Sequence, residues 1–198
     1  REPNHPLRRL HHSSNGFVTQ DFIPDDTIIR QLYSSEGFSN LIAACLDVDE
    51  LHAFADPMRG VVVNVMQPGS MTAWHFDANE FTVTLLVRRP EVGGQFEYCP
   101  ALRKPGNENF DAVAEVLDGD RKCVRQLDLQ TGDLQIFRGR YSLHRIAPVD
   151  DTRLAAIFAF SMVPGYIGSV ESTLKVYGRV MREHLEADGQ RNKDGLRD

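Results

Sequence analysis

The chain has 198 residues, of which 41% are hydrophobic and 25% charged, with a formal net charge of -6. That length suits one domain with one sizeable core, and the acidic balance argues against a nucleic-acid backbone as partner. No apolar run reaches the roughly 18 residues that suggest a bilayer span, so no membrane segment is expected.

Cys45, Cys99 and Cys123 are odd in number and lack a CxxC spacing. Neither a disulfide framework nor a zinc-cysteine site is expected, and a reducing cytoplasm is the expected location. No secretory signal is visible, and a chain that opens on Arg1 leaves an upstream segment open.

In chain order, residues 1–55 read as loops and short helices. Residues 27–33 have helical spacing of apolar side chains, and Ser39 is positioned to cap a second helix ending at Leu46. Asp56-Pro57 marks a break. From there to residue 166 the pattern is of short strands: 61–66, 72–77, 81–87, 95–98, 124–129, 133–137, 142–146 and 153–160. A helix at 109–118 interrupts them, with Phe110, Val113, Ala114 and Leu117 on one face. It would serve as a lid or simply cover a sheet edge. Residues 167–198 read as one amphipathic helix, from about Ser169 to Glu186, and a polar tail that frays from Asp188. The fold expected is mainly β with flanking helices around a double-stranded β-helix core, jelly-roll and cupin-like.

Within the second strand, His75 and Asp77 stand at i and i+2 and project from one face. His144, in the seventh strand, is the natural third arm. Two imidazoles and one carboxylate on one face of an octahedron leave three positions open, the pattern of mononuclear Fe(II) oxygenases; zinc is the competing metal. His11 and His12 lie in a polar segment without a carboxylate in register. His5, His52 and His184 belong to no constellation and are expected on surfaces or helix faces.

Arg153 opens the last strand and can form a bidentate pair with a carboxylate. A dicarboxylate held on the metal by a 2-oxo acid end would offer its far carboxylate there. The other reading pairs Arg153 with Asp150 or Asp151. Thr84 and Asn64 on neighbouring strands would assist the cosubstrate, or satisfy local backbone groups instead. Trp74 and Phe76 face away from His75 and would pack outside the metal cavity. Arg138, Arg140 or Arg145 would bind a substrate carboxylate, though Arg145 faces away from His144. Glu97 or Tyr98 would receive a substrate amine, only one of the two pointing inward.

Several of these stretches together carry a resemblance: Asn64-Val65-Met66, Trp74-His75-Phe76-Asp77, residues 80–86, 93–98 and 117–120, Gly132-Asp133, and residues 137–145. They resemble the Fe(II)/2-oxoglutarate oxygenases related to the BesD-type amino-acid halogenases, over about residues 5–164. The resemblance implies a double-stranded β-helix core, Fe(II), 2-oxoglutarate as cosubstrate with O2, and a free amino acid or similar small molecule as substrate. Halogenating members carry Gly where this chain has Asp77, and halide fills the position so vacated. Hydroxylation is therefore expected and halogenation is not. Thr72 and Ala78 stand where a lysine-processing member would carry polar substrate contacts, which argues against free lysine. Ring closure, desaturation or a non-catalytic cupin-like binding role are the alternatives.

Overall fold

The computed structural model describes residues 5–10 and 12–187. His11, and the tail expected to fray from Asp188, lie outside them. The architecture is two antiparallel sheets facing each other, with helices on the outside.

The larger sheet contains β1 (Gly16–Val18), β2 (His52–Ala53), β3 (Val61–Met66), β4 (Thr82–Arg88), β7 (Leu134–Phe137) and β9 (Arg153–Ser161). Its order is β1-β3-β9-β4-β7, with β2 also pairing β9. The smaller sheet is β6 (Arg125–Leu127), β5 (Phe96–Cys99) and β8 (Leu143–Ile146), in that order. This is the expected jelly-roll core. The first 55 residues, read as helix and loop alone, also supply β1 and β2. Both runs are too short for a period-2 pattern to stand out.

Strand alternation divides the larger sheet cleanly. On its outer face, Val61, Val83, Ala156, Phe158 and Phe160 are buried against Tyr33, Phe38 and Ile42. Those three come from α1 (Ile28–Tyr33) and α2 (Glu36–Leu46). The Tyr33 hydroxyl donates to the Ala159 carbonyl at 2.5 Å and accepts from Phe54 N–H at 2.8 Å, which fastens the helices to β9. On the inner face, Asn64, Thr82, Thr84, Gln135, Arg153, Ala155 and Ile157 line a cavity.

Ser35, rather than Ser39, caps α2: its Oγ accepts from Phe38 N–H, while Ser39 sits inside the helix and bonds back to the Glu36 carbonyl. Residues 72–77 do not form a regular strand. They run irregularly, with a bend at Trp74 and an isolated bridge at His75. The expected C-terminal helix is two, α4 (Val170–Tyr177) and α5 (Arg182–Glu186), because Gly178 ends α4 in the left-handed region at φ 70°. Helix α3 (Phe110–Leu117) lies where expected; Val113 and Val116 pack with Trp74, Phe76, Cys99 and Leu143 into a second core beneath the smaller sheet.

Two expectations are overturned here. Cys99 and Cys123 form a disulfide, Cα–Cα 5.2 Å, across the edge of this second core, which leaves Cys45 as the free thiol. Odd number and spacing hid the pair because only tertiary proximity makes it. Unpaired thiols were the ground for expecting a reducing cytoplasm, and that ground is gone.

His184 is the other correction. It is buried, with its Nε2 3.1 Å from Asp56 Oδ2 and its Nδ1 accepting from Met181 N–H. Asp56 also accepts from the N–H groups of Met58, Arg59 and Gly168. Both side chains of the pair are fully shielded from solvent. One carboxylate therefore ties the entry to β3 to the C-terminal segment. Asp56→Ala would orphan three backbone donors and the imidazole, and is expected to cost about 3–5 kcal/mol in urea unfolding. His184→Ala leaves the three backbone donors in place and is expected to cost distinctly less.

Candidate metal centre

The segment 72–77 is held to β8 through backbone bonds that set the site. His75 N–H donates to the His144 carbonyl at 2.9 Å, and His144 N–H returns the bond at 3.0 Å. Asp77 N–H donates to the Gly139 carbonyl at 3.1 Å. His75 and His144 thus stand directly opposite each other, with ring centroids 4.2 Å apart. Asp77, two residues on, falls on the same side.

Each imidazole has its orientation fixed by its far nitrogen. His75 Nδ1 lies 2.8 Å from the Ala73 carbonyl, and His144 Nδ1 lies 2.8 Å from the Ser142 carbonyl. Carbonyls only accept, so both Nδ1 atoms carry the proton and both Nε2 lone pairs face the cavity. Asp77 Oδ1 lies 3.5 Å from His144 Nε2 and 3.7 Å from His75 Nε2. The three donor atoms all lie within 4.8 Å of one another, so one ion with bonds of about 2 Å fits between them.

Asp77 is positioned from its other oxygen. Thr82 Oγ1 donates to Asp77 Oδ2 at 2.6 Å. A Cβ on residue 139 would lie 1.9 Å from that same oxygen, so only Gly139 leaves room for the carboxylate. Burial alone would raise the Asp77 pKa. His144, His75 and the Thr82 hydroxyl outweigh it and hold the carboxyl far below the usual range. Surrounding protein and the neighbouring His144 push His75 down to about 4, so its imidazole is neutral near pH 7. For His144, burial pulls the pKa down, but the Asp77 carboxylate overcomes it and the net shift is upward.

The cavity beyond the donor atoms measures about 120 Å³. Arg153, Thr84 and Asn64, the three residues assigned to cosubstrate, all line it. Arg153 is 4% exposed, and burial lowers its pKa to about 10. Its Nε has no hydrogen-bond partner. The pairing with Asp150 or Asp151 does not form: Asp151 pairs with Arg88 at 3.0 Å, and Asp150 accepts from Val92 N–H. Gln135, missed in the sequence, lines the same cavity with its Nε2 also unpartnered, while its Oε1 accepts from the Thr84 hydroxyl at 3.1 Å. A buried cation and a buried amide donor left open to one cavity fit an incoming carboxylate. The donor set and this cavity thus fit Fe(II), 2-oxoglutarate and O2.

The remaining candidates fall elsewhere. Thr72 lines the cavity, its hydroxyl accepting from Ile146 N–H. Trp74 and Phe76 lie in the second core, outside the metal cavity. Glu97 faces away from His144 and is paired with Arg145 at 2.6 Å, with Arg121 and with Gln126. Tyr98 pairs in register with His144 on the inner face. Arg140 is buried and donates to the Ala78 carbonyl, and Arg138 lies over the Phe81 ring. Alternation along β7 was the signal that would have found Gln135, a polar residue on an inward position. Thr82 and Gly139 had none, since their proximity to Asp77 is tertiary.

Thr82→Val is expected to lower metal affinity about 10- to 100-fold by releasing Asp77, with Gly139→Ala at least as severe, both read by metal titration. Metal binding should also weaken as pH falls. His144 must lose its proton to ligate, and its raised pKa means that competition begins above the ordinary histidine range. Titrations at a series of pH values check this, and an unchanged affinity down to pH 5 would contradict it.

The profile of the Halogenase D family matches residues 11–163. No curated protein matches in sequence. Among solved structures, an oxidoreductase of the 2OG-Fe(II) oxygenase family from Burkholderia pseudomallei is similar at TM-score 0.53 and 17% identity, over 72% of this chain and 59% of its own. This chain therefore spans about three fifths of that protein. A Pseudomonas putida prolyl-4-hydroxylase gives TM-score 0.47 and 14% identity over 78% and 74% of the two chains. A viral collagen prolyl hydroxylase from Paramecium bursaria Chlorella virus-1 gives 0.48 and 17% over 76% and 80%. At 17% identity the Burkholderia structure speaks to fold, and the fold it shares with this chain is that of a 2OG-Fe(II) oxygenase. With its profile match covering most of the sequence, the chain belongs to the Halogenase D family.

Proposed function

We propose that this protein is a non-haem Fe(II)/2-oxoglutarate-dependent dioxygenase that hydroxylates an unactivated C–H bond of a small molecule, a free amino acid or a derivative of one. The observation that carries the reading is a single cavity with His75, Asp77 and His144 at one end and the uncompensated Arg153 at the other. A bound iron with 2-oxoglutarate and O2 supplies the oxidising chemistry, at the expense of the cosubstrate's decarboxylation to succinate.

The chain's own residues do the positioning. His75 and His144 present Nε2 lone pairs fixed by their carbonyl-bound Nδ1–H groups. Arg153 and Gln135 anchor the far carboxylate of the cosubstrate, with Thr84 holding the Gln135 amide in place. Asn64 gives the same wall a further polar edge. Phe96, Phe137, Ala155 and Ile157 keep the cavity apolar, which strengthens the pairing of a carboxylate with Arg153.

Asp77 supports hydroxylation within a family named for halogenation. Its carboxylate, held by Thr82 and cradled by Gly139, would serve as a ligand to the iron where a halogenating member would take halide. It also adds negative charge that opposes a second anion.

Anaerobic addition of Fe(II) and 2-oxoglutarate should give a weak visible charge-transfer band, lost in His75→Ala. A non-catalytic cupin-like protein would give none. With O2 and an amino-acid panel, succinate should form and one substrate should gain the mass of one oxygen. Arg153→Leu is expected to raise the KM for 2-oxoglutarate about 10- to 100-fold, from the loss of about 1.5–3 kcal/mol of charge-assisted bonding. A chlorinated product from the wild-type protein in chloride buffer would overturn the role given to Asp77.

A further inference from the structure

A second cavity, of about 320 Å³, lies beside the metal centre, and His75 lines both. Its walls are the outward-facing Trp74 and Phe76 together with Phe110 and Leu117 of α3. The half-exposed His75 ring, 44% accessible, stands at the junction. The cavity is within the size range of small-molecule sites and is largely apolar, as such sites are.

The charges around it are unbalanced. Arg103 lies 3.9 Å over the Phe76 ring and pairs with Glu108 at 2.8 Å. Arg9 pairs with Asp118 at 2.6 Å. Lys175, from the last turn of α4, also lines the cavity and has no ion pair among the described residues. The two arginines meet acidic side chains, and the ammonium of Lys175 is the charge left over. Lys175 also lies beyond residues 11–163, so this rim is a feature of the chain outside the family match.

We propose that this second cavity is the substrate pocket and that its occupant is a carboxylic acid with an apolar or aromatic body, the body on Trp74, Phe76 and Phe110 and the carboxylate at Lys175. The proposal rests on the oxygenase reading above and deepens it by naming a substrate class. Glu108 is already matched by Arg103, so among the described residues no unmatched acid of this cavity awaits a substrate ammonium. An N-acylated amino acid or a simple arylalkanoic acid therefore fits better than a free amino acid. The ligand's inner end, beside His75, is the part brought to the metal centre.

Trp74 is the chain's one tryptophan and forms a wall of this cavity, so its emission reports occupancy directly. Hydrocinnamate and N-acetyl-L-phenylalanine are titrated into protein free of metal and of 2-oxoglutarate. Both should change Trp74 emission saturably, and hydrocinnamyl alcohol should bind about tenfold more weakly. Lys175→Glu should weaken the acids about tenfold, while Lys175→Arg restores them and Arg153→Leu leaves them unchanged. Equal binding of acid and alcohol, or no effect of Lys175→Glu, overturns the proposal. So does loss of acid binding in Arg153→Leu, which would put the acid in the metal cavity. No iron or cosubstrate enters this titration, so an inactive enzyme would count against the oxygenase reading and not against the pocket.

Discussion

Asp77 has space for its carboxylate because residue 139 carries no side chain, and the rest of the site depends on that contact. Thr82 takes one oxygen of the carboxylate, which leaves the other turned toward His75 and His144. The backbone supports the same arrangement: Asp77 bonds to Gly139, and His75 exchanges two bonds with His144. His144 thereby comes to share one face with His75 and Asp77, which lie far earlier in the sequence. The carboxylate stays ionised within this shell because nearby imidazoles and a hydroxyl outweigh the burial that would neutralise it.

The larger sheet makes this arrangement rigid. Its outer face is closed by the aromatic cluster of Tyr33, Phe38, Phe158 and Phe160, and the Tyr33 hydroxyl ties that cluster to β9. Alternation then obliges the next residues along β9 to face inward, where Arg153, Ala155 and Ile157 line the cavity. A guanidinium so enclosed, with its acidic sequence neighbours engaged elsewhere, is costly to bury unless an anion joins it. Packing on one face of the sheet and anion affinity on the other are thus linked through the same strand.

The C-terminal segment is joined to this body by polar anchors more than by a continuous apolar face. Asp56 gathers His184 and three backbone donors, Arg59 donates to Ser172 at 2.8 Å, and Arg179 donates to Thr19 and Asp21. These contacts set α4 against the cavity rim and bring Lys175 to the second cavity. The second cavity thus draws on the C-terminal segment, while the metal cavity is lined by residues of the two sheets and of the segments at 15 and 72–77.

Strand patterning from residue 61 onward, except at 72–77, and the helix expected at 109–118 were legible because each depends on local periodicity, and the i, i+2 spacing put His75 and Asp77 on one side even without a regular strand. Arg153 was legible as an anion partner, but its freedom from Asp150 and Asp151 was not, since both acids are adjacent in sequence and are drawn away by Arg88 and by a backbone N–H. The same holds for the residues that complete the site. Gln135 and Gly139 matter through contacts with residues far away in sequence, Thr82 through a turn of the chain that returns it to Asp77, and the disulfide of Cys99 with Cys123 and the buried pair of Asp56 with His184 are likewise tertiary. The sequence by itself determined which residue types face inward and what chemistry they can perform. Tertiary structure decided which of them meet, because burial and charge pairing are settled only when distant strands close around one cavity.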